Sequence, residues 1–133
     1  MSESMSISEN NGILTLTMNS DKNNLMTADF FTDYQAVTAE IEEMSANPYI
    51  KGLIICGGGR HFSVGADVEA LAARSANEVY DDISGVLPES HLKLKHCFTF
   101  LHELPFPVVS AVSGFCIGSA CEIEVNSPYR IIE

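Results

Sequence analysis

A chain of 133 residues, 46% hydrophobic and 19% charged, has the size of one small domain and a globular composition, which argues against both a disordered polyelectrolyte and two independent domains. Eighteen acidic against seven basic residues give a formal net charge of −11, so nucleic acid is not an expected partner, and any anionic ligand must be met by backbone N–H groups, a helix N-terminus or local lysines. No apolar run approaches the roughly 18 residues of a membrane span, and the polar, acidic stretch from Met1 to Gly12 lacks the segments of a secretory signal, so a cytoplasmic setting without membrane contact is expected.

Ile13 to Met18 alternates Leu14, Leu16 and Met18 with Thr15 and Thr17, the period of a half-buried strand. A polar turn over Ser20 to Asn24 follows, and then Thr27 caps a helix whose stripe is Phe30, Tyr34, Val37, Ile41 and Met44. Asn47 and Pro48 stop it. Leu53 to Cys56, bounded by Gly52 and the triplet Gly57, Gly58 and Gly59, reads as a strand buried on both faces. After a loop through Arg60, His61 and Phe62, Asp67 opens an alanine-rich helix over Val68 to Ala76. Asn77 to Glu89 has no clean period.

Leu92 to Leu104 is the next helix, with Leu94, Cys97, Phe98, Leu101 and Leu104 on one face, and Pro105 and Pro107 bracket its end. Val108 to Val112 is a second buried strand. Gly118 opens a short helix carrying Cys121, Glu122 and Val125, which Pro128 ends before a strand from Tyr129 to Ile132. The alternation of strands and helices is an α/β pattern, and its last strand is unfinished at the C-terminus.

Several readings of the conspicuous residues fail on spacing. The glycine triplet is not followed by the Lys and Ser or Thr of a phosphate loop, and no third glycine stands three residues beyond Gly59 for a dinucleotide fingerprint. Ile117 and Cys121 stand around Ser119 where a hydrolase elbow needs glycine. His61, His91, His96 and His102 lack metal-ligand spacing, so no metal is expected. Cys56, Cys97, Cys116 and Cys121 lie in apolar stretches without a CxxC pair and read as buried free thiols.

Two segments carry a positive signal. Ser63, Val64, Gly65, Ala66 and Asp67 follow one buried strand and open a helix, and Gly118, Ser119 and Ala120 do the same after another. Each such turn presents free N–H groups at the positive end of a helix dipole, and two of them can hold a developing oxyanion. Glu122 lies just past the second; Glu124, two residues on, points about 200° away from it on a helix and cannot share its pocket.

Together these segments resemble the enoyl-CoA hydratase/isomerase, or crotonase, superfamily over nearly the whole chain. Asp21 to Met26 is similar to the family's Pro-Glu-Lys-x-Asn-Ala-Leu, and Asn47 and Pro48 to its Asp-Pro. Leu53 to Phe62 resembles its strand running into Gly-x-Gly-Arg-x-Phe, and Phe62 to Val68 its Phe-x-x-Gly-Ala-Asp-Leu. Pro105 to Gly114 resembles Lys-Pro-Val-Ile-Ala-Ala-Val-Asn-Gly, and Gly118 to Glu122 aligns with Gly-Gly-Gly-x-Glu, with Ser119 and Ala120 in place of glycines. Glu124 and Pro128 stand where the family has a small or apolar residue and Asp.

The resemblance implies an α/β crotonase-like spiral of ββα units, of which residues 1–133 would be the N-terminal portion of a single domain. It implies acyl-CoA thioesters as substrates, with no cofactor beyond the CoA that the substrate carries. The N–H groups of Ala66 and Ser119 would stabilise the enolate, and Glu122 would be one of two acids adding water across the α,β double bond, the second lying beyond Glu133. The carbonyls of Val64 and Ala66 would receive the adenine and Lys22 the CoA phosphates. A homotrimer or hexamer is implied for a full-length chain. Isomerase, decarboxylase and thioester hydrolase activities use the same arrangement, and a fragment that binds acyl-CoA without chemistry is the alternative from another class. An unpaired sheet edge would make the isolated chain associate.

Overall fold

The computed structural model describes residues 4–73 and 89–133. The aperiodic stretch from Asn77 and the last residues of the helix expected over Val68 to Ala76 lie outside them, Glu89 excepted. Five strands form the main sheet in the order β1 (Met5–Asn10), β2 (Ile13–Met18), β4 (Gly52–Gly57), β6 (Val108–Val112) and β7 (Tyr129–Ile132). All pairs but the first are parallel, so each strand after β2 is reached by a crossover, as the α/β reading requires. A separate parallel pair joins β3 (Leu25–Met26) to β5 (Gly65–Ala66).

The strand β1 has no counterpart among the sequence expectations. Its residues are mostly polar and exposed, which hides a strand whose outer edge meets water. The readable signal was Asn11-Gly12: both have positive φ, 51° and 84°, as the tightest hairpin turn demands, and they fold β1 back on β2 with Met5 opposite Met18 and Asn10 opposite Ile13.

Alternation in β2 buries Leu14, Leu16 and Met18 completely, and the register aligns Leu14 with Leu53 and Leu16 with Ile55. Helix α1 (Ala28–Met44) is held at its start by Thr27, whose Oγ1 accepts the Phe30 N–H at 3.1 Å. Its stripe of Phe30, Tyr34, Val37 and Ile41 belongs to the same core as those strand residues. Tyr34 lies between the rings of Phe30 and Phe98, at 6.0 and 6.1 Å, and its hydroxyl is buried with no partner among the described residues. Burial therefore drives its ionisation far above the usual tyrosine range.

The short helix α2 (Val68–Ala72) follows β5, and α3 (Glu89–Thr99) runs into a 3-10 turn over Phe100–His102. Cys97, Phe98, Phe100 and Leu101 enter the core. Helix α4 (Ser119–Asn126) buries Ala120 and Ile123 and leads to β7, the sheet's outer described strand, where Tyr129, Ile131 and Ile132 are exposed. No described helix is long and apolar enough to cross a membrane.

Candidate active site

Two loops at the same end of the parallel strands are fastened to one another. Beyond β4, Phe62 is fully buried and its N–H donates to the Ser113 carbonyl at 2.7 Å. One residue on, the Ser63 N–H donates to Phe115 O at 2.9 Å and its carbonyl accepts the Ile117 N–H at 3.2 Å. The loop leaving β6 is thereby locked to the loop leaving β4 as a single parallel bridge between Ser63 and Cys116.

The first loop is fixed on its other side as well. The Ser63 hydroxyl, fully buried, donates to Asn24 O at 2.7 Å and accepts the Gly65 N–H at 3.0 Å. The Val64 N–H donates to Asn23 O, and the Asp67 N–H donates to Met26 O at 3.3 Å. Successive N–H groups of an extended strand point to opposite edges. The bond from Asp67 to β3 therefore turns the N–H of Ala66 away from β3. Gly65 is required here twice over: its φ is +85°, and a Cβ would collide with the Ile117 carbonyl oxygen.

The second loop ends at Gly118, whose φ of 59° and ψ of −124° turn the chain into α4. Ser119 is the first helical residue, so its N–H has no acceptor within the helix. Ser119, Glu122 and Asn126, spaced three and four apart, share the helix face that lines a cleft of about 370 Å³ opposite Leu94, Lys95, Phe98 and Thr99 of α3. Asn126 is pinned there, its amide donating to Glu122 O at 2.7 Å and its Oδ1 lying 2.9 Å from His102 Nε2. Glu124 faces elsewhere and meets Arg130 at 3.2 Å.

Of the residues expected in the site, Ser119 and Glu122 meet in the cleft, while Val64, in the loop before β5, and Ala66, in β5 itself, do not line it. Lys22 is exposed on the turn before β3, next to Asn23, whose carbonyl accepts from Val64. Two organising residues were missed as such. Asn24 is 1% exposed with φ of 54°, and its amide accepts from Ser20 N at 3.2 Å and donates to His61 O at 3.0 Å. A polar residue tolerant of positive φ directly before an apolar pair was the signal. His61 accepts the Phe115 N–H at Nδ1, at 3.0 Å, which places its own proton on Nε2, and its ring stacks on Phe115 at 4.4 Å.

The cysteine expectation is corrected in part: all four are free, but only Cys97 is buried. Cys56, near the end of β4, Cys116, in the loop after β6, and Cys121, in the first turn of α4, are half-buried. Burial, with the Cys121 thiol beside it, pushes the Cys116 thiol up to about 12. No group of three metal-ligating side chains occurs among the described residues.

The family model for enoyl-CoA hydratase/isomerase matches residues 8–133, and the chain belongs to that family. It is 34% identical over 120 residues to the fatty acid oxidation complex subunit alpha of Aliivibrio fischeri, covering 89% of this chain and 16% of that one. The corresponding subunit of Shewanella amazonensis is 31% identical over 135 residues, covering 98% and 18%. In fold, the chain is similar to an enoyl-CoA hydratase from Shewanella pealeana, with TM-score 0.76, 22% identity, and 98% of this chain against 46% of that one. An enoyl-CoA hydratase/isomerase from Xanthobacter autotrophicus gives TM-score 0.77 at 20% identity, over 99% and 46%. The chain thus spans about a sixth of the curated relatives and about half of the solved structures it matches. The α/β fold is the crotonase type expected from the motifs.

Proposed function

We propose that this chain provides the oxyanion-stabilising half of an enoyl-CoA hydratase-type site, acting on an α,β-unsaturated acyl-CoA. The observation that carries the reading is the cleft in which the free helical N–H of Ser119 and the carboxylate of Glu122 lie on one face of α4, beside a loop that turns the Ala66 N–H away from β3. In the reaction, water adds to the β-carbon and negative charge moves onto the thioester oxygen. The N–H groups of Ala66 and Ser119 stabilise that enolate, and Glu122 handles the proton of the attacking water. Fixed backbone donors suit the task because they need no reorganisation as charge develops. Lys22 and the carbonyls of Val64 and Ala66 then meet the CoA, which arrives with the substrate and leaves with the product. A cytoplasmic trimer or hexamer completes the proposal for the full-length protein.

The test is to give crotonyl-CoA to the full-length protein, in which the second acid expected beyond Glu133 is present, and follow loss of the conjugated enoyl absorbance. Glu122→Gln should lower turnover about 100-fold or more without shifting the unfolding midpoint, since Glu122 is exposed. A second reading is acyl-CoA binding without hydration, favoured by Glu122 being the single carboxylate that lines the cleft among the described residues. Binding without turnover, unchanged by Glu122→Gln, would select it.

A further inference from the structure

Cys116 and Cys121 bracket the turn that delivers Ser119 to the site. Their sulfurs lie 3.9 Å apart, both side chains are half-buried, and the Cys121 thiol donates to the Cys116 carbonyl at 3.0 Å. Between them stand Ile117, whose carbonyl oxygen abuts Gly65, then Gly118, Ser119 and the fully buried Ala120. We propose that this pair is an oxidisable dithiol, converted by a low-molecular-weight disulfide into an intramolecular disulfide that displaces the N-terminus of α4.

The chemistry balances in two exchanges. The Cys121 thiolate attacks one sulfur of R–S–S–R, forming a mixed disulfide and releasing a thiolate RS⁻. The Cys116 thiol then loses its proton and attacks the Cys121 sulfur, forming the Cys116–Cys121 bond and releasing a second RS⁻. Two protein thiols are oxidised by two electrons, and the reagent is reduced to two thiols that take up the two protons. Cys116 is written as the second sulfur to act because burial and the Cys121 thiol beside it favour its protonated form.

Closure has a structural consequence. A disulfide bond is about 2.0 Å long, so the sulfurs, 3.9 Å apart, must approach by about 2 Å, shared between rotation of the two side chains and the turn that joins them. Ile117 has no room to move toward Gly65 and Ala120 is fully buried, so the backbone's share of the displacement falls on Gly118 and Ser119. Oxidation should therefore withdraw the Ser119 N–H from the cleft.

The test treats the reduced chain with oxidised glutathione. Cleavage after Glu103 and Glu122 yields a peptide, residues 104–122, that holds Cys116 and Cys121 and no other cysteine. The peptide should become two hydrogens lighter, the Ser119 amide resonance should move, and dithiothreitol should reverse both. A peptide that stays reduced, or that carries two glutathionyl groups, would overturn the proposal, as would a bridged peptide with the Ser119 amide unmoved. A third readout rests on the proposed function: hydration of crotonyl-CoA should fall about 100-fold on oxidation, the cost of one lost oxyanion donor, while the double variant Cys116→Ala with Cys121→Ala, which can form neither the bridge nor a mixed disulfide at this turn, should keep its turnover in oxidised glutathione. If neither redox form of the full-length protein hydrates the substrate, the functional proposal fails, and the mass and amide measurements still decide the bridge.

Discussion

The two loops that carry the backbone donors reach their conformations by different means. The loop before β5 is enclosed: Phe62, Ser63 and Gly65 are buried, and hydrogen bonds from β3, Asn24 and the opposite loop hold it from several sides. The loop before α4 is open, with Gly114, Phe115, Ile117 and Gly118 exposed, and it leans on its neighbour for shape. One donor is thus placed by surrounding structure, and the other by being the first residue of a helix. A change in the first loop should cost folding, and a change in the second should cost mainly function.

The sharpest way to break this contrast is to place the same methyl group in each. Gly65→Ala meets both a strained φ and the Ile117 carbonyl, so it should destabilise by roughly 3–5 kcal/mol in urea unfolding. Gly118→Ala meets no atom within 4 Å and carries only the backbone strain of φ 59°. It should cost about 1–2 kcal/mol while still lowering turnover. Equal losses from the two variants would erase the distinction.

A smaller effect comes from pH. The Cys116 thiol is raised to about 12 in the fold, against roughly 8.5 in an unfolded chain, so between those values the folded state binds the extra proton. Its contribution to stability is complete below about pH 8.5 and is lost as pH rises toward 12. Cys97 and Tyr34, also raised by burial, act in the same direction. Unfolding midpoints measured from pH 8 to pH 10 should therefore fall, and fall less in Cys116→Ala. The smallest change is expected from Tyr34→Phe, remote from both loops. It removes a buried hydroxyl without a partner among the described residues and should leave stability within about 1 kcal/mol of the parent or slightly above it.

Much of this architecture was legible because its signals are local. The stripe Phe30, Tyr34, Val37 and Ile41 and the run Val108–Val112 are set by periodicity, and their elements appear where the pattern puts them. The strand β1 was hidden because its outer positions are polar, and Asn11-Gly12 was its only clear mark. For the site, the motifs name Ala66, Ser119 and Glu122, yet no local pattern reveals that Ser63 and Cys116 pair across 53 positions. Nor does it reveal that Asn24 and His61 hold the frame, since His61 on its own reads as an ordinary satisfied histidine. Those roles exist only once β4 and β6 lie side by side.

That side-by-side order also bears on how the chain assembles. In the main sheet, spatial order repeats chain order, β1, β2, β4, β6 and β7, so each new strand pairs with the one formed just before it. No late strand of this sheet has to be inserted between two earlier ones. The sheet can therefore grow outward as the polypeptide leaves the ribosome, each strand templating the next.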